Sequence, residues 1–221
     1  KLIKREYENY IKIHHPFLSR CYSLIKINQE DFLILEYIEG STLTNIKNMN
    51  LQIQTKIKII IEIMIILDYL HHHRFIYRDL KPNNLILDNN QTIVLIDFDR
   101  MIDKSIDNNN DNEETTIIIH PYASPEIAEN RTFSYSTDIY SLGMIIYYII
   151  FEKDPTFNIN EKFEEEQTKE NEMIIELIKK CTKRNPKERP NITEILYYFY
   201  NEIFFKLYDK ILITKIKYTT K

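Results

Sequence analysis

A chain of 221 residues, 43% of them hydrophobic, is long and apolar enough to bury a full core, which excludes a disordered segment and is met most simply by one domain. Its 29 basic against 33 acidic side chains leave a net charge of −4, which gives no electrostatic footprint for nucleic acid. Two isolated cysteines, Cys21 and Cys181, exclude a disulfide framework or cysteine-rich zinc site and suit a reducing, cytoplasmic (intracellular) setting.

Residues 1 to 15 have helical spacing, with Ile3, Tyr7, Tyr10 and Ile11 on one side, and His15-Pro16 is expected to end that helix. Residues 21 to 27 and 32 to 38 read as strands joined by Asn28-Gln29-Glu30-Asp31, a hairpin signal. A long apolar helix is expected from Leu51 to His72. Its most apolar window, residues 57 to 67, is interrupted by Lys58 and Glu62 and is too short for a bilayer, so no membrane partner is expected. Adjacent histidines on a helix do not share a face, so His71-His72-His73 reads as a surface helix end rather than a metal site.

From Phe75 to Asp99, short β-branched runs alternate with loops that carry Asp79, Lys81, Asn84 and Asp97. One base, one cation and two metal ligands for a nucleotide phosphate can be drawn from this stretch alone. Asp107 to Glu114 is polar and acidic, a loop rather than a packed element. Residues 137 to 150 have Ile139, Leu142, Ile145, Ile146 and Ile149 on nearly all sides, the pattern of a buried helix. Helices are expected over 171 to 184 and 191 to 201, the second capped by Asn191. The tail, 202 to 221, mixes Phe204, Phe205 and Leu207 with lysines.

Tyr77-Arg78-Asp79-Leu80-Lys81-Pro82-Asn83-Asn84, followed by Asp97-Phe98-Asp99, resembles the catalytic loop and metal-binding segment of protein kinases, H-R-D-L-K-x-x-N and D-F-G. Ser124-Pro125-Glu126 resembles the A-P-E end of the kinase activation segment. Asp138-Ile-Tyr-Ser-Leu-Gly143 resembles the opening of the buried helix αF, and Lys187-Glu188-Arg189-Pro190 the loop before the last family helix. The resemblance implies an α+β, protein kinase-like fold. Residues 1–39 would form a truncated small lobe with helix αC, a partial antiparallel sheet and the hinge; residues 40–201 a mainly helical large lobe; 202–221 a tail.

It also implies phosphoryl transfer from Mg-ATP to a protein hydroxyl, with Lys81 pointing to Ser/Thr acceptors. Asp79 would orient the hydroxyl, Lys81 touch the transferred phosphate, and Asn84 and Asp97 hold magnesium. Glu36 and Ile38 would bind adenine through main-chain groups beside Leu35 as gatekeeper, with Ile86 also at the nucleotide. Glu6 would pair with a lysine on the third strand of the family's small lobe, and Arg78 would clamp a phosphate on Thr115 or Thr116. Glu126 and Arg189 would form a buried ion pair, and Asp138 would anchor the loop at 77–79.

The chain departs from the family pattern in several places. Its only glycines are Gly40 and Gly143, so it holds no Gly-rich loop, and no lysine of that third strand precedes Glu6. Tyr77 replaces His, with its ring expected to stack under Phe98. Asp99 replaces the D-F-G glycine, and His120-Pro121 stands where a Gly-Thr pair usually lies. Two alternatives therefore stay open: a pseudokinase-like binding or scaffold module, and a small-molecule phosphotransferase of the same fold.

Overall fold

The computed structural model describes residues 2–106, 120–130, 132–156 and 171–204. Helix α1 (Leu2–Tyr10) ends well before His15-Pro16. The reason is downstream: Phe17 O accepts from Leu95 N at 2.8 Å and Ser19 N donates to Leu95 O at 3.0 Å, so the chain must already be extended there. Tyr10 and Ile13 are buried, whereas Ile11, expected on the apolar side, is 52% exposed.

Strands β1 (Cys21–Ile27) and β2 (Glu30–Leu35) form an antiparallel hairpin. Its turn is tighter than expected. Asn28 and Gln29 both take positive φ, 48° and 68°, which matches the twist of a two-residue hairpin loop and lets Glu30 and Asp31 join the ladder. β2 stops at Leu35 rather than residue 38: Glu36 N still donates to Arg20 O at 2.8 Å, but Arg20 N turns to the Glu36 side chain at 3.2 Å and the ladder goes no further.

A second antiparallel sheet has the order β3-β5-β6, built from β3 (Gly40–Thr42), β5 (Leu85–Asp88) and β6 (Ile93–Leu95). A small ribbon pairs β4 (Phe75–Ile76) with β7 (Ile102–Asp103). These pairings hold the two ends of the Phe75–Asp99 stretch side by side, which positions the site.

Two apolar helices carry the core, α2 (Ile53–His72) and α4 (Tyr135–Phe151), with the short α3 (Pro125–Asn130) between them in sequence. α4 is buried on nearly every side, as its pattern predicts. Ser134 and Thr137 close a capping box at its start. On α2, Glu62 is buried and accepts Ile93 N of β6 at 2.9 Å, so this charge ties the helix to the sheet. Tyr148 of α4 donates to Leu43 O and Thr44 O, fastening a 3₁₀ segment, Leu43–Met49.

Helix α5 (Glu172–Cys181) is shorter than expected, whereas the helical backbone that begins with α6 (Ile192–Tyr198) runs on to Phe204 and covers the expected span. α5 ends because the Lys183 and Arg184 carbonyls turn to bond Arg189, and α6 widens into a π-helical turn over Phe199–Phe204. The Asn191 cap forms as expected, with Glu194 returning the bond. Residues 205–221 of the tail lie outside the described residues. Among the described residues no helix is long and apolar enough to cross a membrane.

Gly143 sits where α4 meets α5. A Cβ there would lie 2.7 Å from Cys181 Cβ and 2.8 Å from Thr182 Cγ2, atoms near the α5 backbone that cannot swing aside. Gly143→Ala is therefore expected to destabilise by about 1 to 3 kcal/mol despite its better helix propensity. Denaturant unfolding checks this; a variant as stable as the parent removes the close-packing argument.

Candidate active site

The site begins at the end of β4, where the chain turns outward and is caught from α4. Asp138 is fully buried; its Oδ1 accepts Arg78 N at 2.8 Å, and its Oδ2 accepts Tyr77 N at 2.9 Å. His71 Nε2 reaches the same Oδ2 at 2.9 Å. Arg78 is held at φ 75°, a conformation a bulky residue rarely adopts unless its surroundings impose it.

That turn sends Asp79 inward. Its Oδ2 accepts Lys81 Nζ at 2.7 Å and Asn84 Nδ2 at 3.0 Å, and Asn84 Nδ2 also meets Asp79 O at 2.9 Å. Asn84 reaches it from a 3₁₀ turn, Pro82–Asn84, started by Pro82 where a missing N–H costs nothing. Asp79 Oδ1 is buried and makes no hydrogen bond among the described residues; His120 Nε2 lies 3.4 Å away and Arg100 Nε is 3.9 Å from Oδ2. Burial would raise the Asp79 pKa, but His120, Lys81 and Arg100 outweigh it and hold the carboxyl below its ordinary value.

Asp97 follows β6 at φ 66°, and the preceding Ile96 N donates to Asn84 O at 3.0 Å, bringing the two loops together. Burial, then the Asp99 charge, pushes Asp97 up to about 6. Across from it on α1, Glu6 is pushed to about 7 by burial and then by Asp97 and Asp99. Three carboxylates thus act on one another, with no lysine paired to them among the described residues. Arg100 Nε lies 4.0 Å from Asp99 Oδ1. Asn9 of α1 donates to Phe98 O at 2.7 Å and Met101 O at 3.2 Å, locking that helix to the Asp97–Met101 backbone.

A family description, protein kinase domain, matches residues 1–200. The chain belongs to the protein kinase family. An Aurora kinase of Debaryomyces hansenii is 28% identical over 89% of this chain and 50% of its own length. A probable serine/threonine-protein kinase of Dictyostelium discoideum is 34% identical over 78% of the chain and 44% of its own length. The cAMP-dependent protein kinase type 3 of Saccharomyces cerevisiae is 30% identical over 67% of the chain and 36% of its own length. The kinase chain therefore spans half or less of these relatives.

Lys81 and Asn84 both bond to Asp79 Oδ2, and Asp97 lies close enough for the Asp79 charge to act on it. Glu6 is half-buried toward Asp97 while Glu8 is exposed, which separates the two candidate kinase glutamates. At the expected hinge, Leu35 is 40% exposed and the Glu36 N–H donates to Arg20 O at 2.8 Å. Ile38 and Ile86 are half-buried, Ile86 within β5 opposite Val94. Arg78 lays its guanidinium 3.6 Å over the Phe133 ring. Thr115 and Thr116 lie outside the described residues.

Tyr77 meets Phe98 edge-on rather than stacked, with ring centroids 6.0 Å apart at 71°, and its hydroxyl donates to Ile96 O at 2.6 Å. The reading of His71 as a surface residue is corrected: its side chain is buried against Asp138 and rests 4.9 Å from the Tyr135 ring, whereas His72 and His73 are exposed. Position explains the difference, because only His71 falls on the α2 face turned to α4. Asn9, Arg100 and His120 were also unassigned from sequence, as single polar residues without a spacing signal.

The donor set suits a hard cation. Asn84 keeps its amide oxygen free of its own two N–H bonds, and the raised Asp97 pKa marks negative charge that its surroundings leave under-compensated. Among the described residues no group of three His, Cys, Asp or Glu is arranged to hold a metal, so further ligands would come from phosphate and water.

Proposed function

We propose that this kinase domain transfers a phosphoryl group from Mg-ATP to a Ser or Thr hydroxyl of a protein, with residues 1–39 as small lobe, 40–201 as large lobe and 202–221 as tail. The observation that carries the reading is the Asp79 carboxylate: Oδ2 is held by Lys81 and Asn84, while Oδ1 has no hydrogen bond. Asp79 orients the acceptor hydroxyl and takes its proton on Oδ1 as the new P–O bond forms. Lys81 stands beside it as the cation for the transferred phosphate, and Lys at this position favours Ser/Thr acceptors. Asn84 and Asp97 would hold magnesium, which when bound neutralises charge on the phosphates. Glu36 and Ile38 would meet adenine through main-chain groups, with Ile86 beside them, and Glu6 would take a lysine partner. Arg78 would clamp a phosphate carried on Thr115 or Thr116.

The present chain alone is expected to transfer almost nothing to generic protein substrates. Two preorganised phosphate contacts, a Gly-rich loop and a lysine opposite Glu6, are absent from its 221 residues, and each such loss typically costs about 10²- to 10³-fold in rate. Radiolabelled phosphate transfer checks this on the chain and on a version with a Gly-rich loop and lysine strand supplied ahead of Glu6. The extended version should be active and lose about 10²- to 10⁴-fold on Asp79→Ala. If it stays inactive, the second reading, a binding module, is favoured; that reading rests on Glu6, Asp97 and Asp99 acting on one another with no lysine paired to them among the described residues.

A further inference from the structure

His120 does not belong to the set that the kinase pattern assigns, yet its Nε2 lies 3.4 Å from the Asp79 oxygen that makes no hydrogen bond among the described residues. Its Nδ1 accepts Tyr122 N at 3.2 Å. In the neutral ring the proton must then sit on Nε2, and Nε2 lies 3.4 Å from Asp79 Oδ1. Oδ1 itself has essentially no solvent contact and no hydrogen bond. Lys81 and Asn84 occupy Oδ2, so Oδ1 is the oxygen left for a hydroxyl proton.

We propose that His120 gates Asp79: its imidazole covers the one open acceptor of the carboxylate, and an incoming hydroxyl reaches that oxygen only by displacing the ring. The proposal rests on Asp79 being the group that meets the hydroxyl. The geometry suits a cover that is easily moved. At 3.4 Å the contact is longer than a good N–H···O bond, and the histidine side chain is 17% exposed, so the ring can rotate outward. The backbone behind it stays put, because Ala123 N bonds His120 O at 2.9 Å and Ser141 of α4 donates to Tyr122 O at 2.8 Å. A buried carboxylate oxygen left unpaired is costly, and a hydroxyl that replaces the ring with a true hydrogen bond recovers that cost. The gate therefore favours acceptors whose hydroxyl can enter far enough to displace His120.

The test needs no turnover, so it separates the gate from the activity reading. The 221-residue chain, His120→Ala, His120→Gln and Pro121→Ala are treated with a water-soluble carbodiimide, and loss of the unmodified carboxylate is followed at Asp79 and at Asp138 by mass spectrometry. His120→Ala should speed modification of Asp79 at least about fivefold without changing Asp138. Pro121→Ala should leave both rates near the parent, and His120→Gln, which still covers the oxygen, should fall between. Equal Asp79 rates in the parent and His120→Ala overturn the gate, as does a parallel rise at Asp138, which would mean general loosening. Imidazole nitrogen NMR adds a second reading: His120 should carry its proton on Nε2 and respond to Asp79→Asn. A proton on Nδ1 overturns the proposal.

Discussion

Replacing Arg189 by Leu is expected to lower the unfolding free energy by about 3 to 5 kcal/mol. The guanidinium has five N–H donors, and all five are used. Two go to the Glu126 carboxylate at 2.7 and 2.8 Å, two to Ser136 O and Arg184 O at 2.9 and 3.1 Å, and Nε–H to Lys183 O at 2.7 Å. One side chain thus binds α3, the first turn of α4 and the segment after α5. The variant leaves Glu126 buried without its cation. Pairing Arg189→Leu with Glu126→Leu should recover only part of the loss, since three carbonyls still lack donors; full recovery in a double-mutant cycle would limit the effect to the ion pair.

The same pair predicts an acid dependence. Burial alone would raise the Glu126 carboxyl, but the Arg189 bonds outweigh it, and its pKa falls below the ordinary 4.5. A depressed folded-state pKa contributes stability that is present above the unfolded value and is lost as pH falls through the folded one. The stability gap between the parent and Glu126→Gln should therefore hold from neutral pH down to about 5 and narrow below about 4.5. A gap that stays constant to pH 3 would show that Glu126 titrates alike in both states.

Much of this arrangement was legible in the chain because kinase chemistry places charged residues at short, fixed offsets. Asp79, Lys81 and Asn84 sit on one loop, so their spacing carries their meeting, and Asp97 is brought in by the adjacent strand pair. The Glu126 and Arg189 meeting crosses from α3 to the loop before α6, and only the family resemblance made it visible. Residues that act alone were not visible. Asn9 is one polar side chain on an amphipathic helix, and its two bonds go to main-chain carbonyls that no pattern marks. Element ends failed for a related reason: α1, β2 and α5 stop where distant groups claim the backbone, at Leu95, at Arg20 and at the Arg189 side chain. The local pattern would have continued each of them.

Asp138→Ala is expected to destabilise the chain by at least about 3 kcal/mol, because His71, Tyr77 N and Arg78 N all lose the buried carboxylate that water cannot replace. For a chain of this size that corresponds to a melting temperature lower by roughly 6 to 12 °C. The local consequence is sharper than the global one. Arg78 is kept at φ 75° by the bond from its N–H to Asp138, and that backbone direction is what turns Asp79 into the site. Without the carboxylate, Arg78 can relax toward an ordinary conformation and withdraw Asp79 from Lys81 and Asn84. Asp138→Asn separates the two effects: its amide oxygen can keep one backbone N–H, while its NH₂ faces another donor, so stability should fall less than with Ala. Amide hydrogen exchange at Tyr77 and Arg78 reads the anchor directly. Both amides should be protected in the parent and exchange rapidly in Asp138→Ala under conditions where the rest of α4 remains protected. Melting within about 1 °C of the parent, with both amides still slow, would show that the loop at 77–79 is held by its own packing and not from α4.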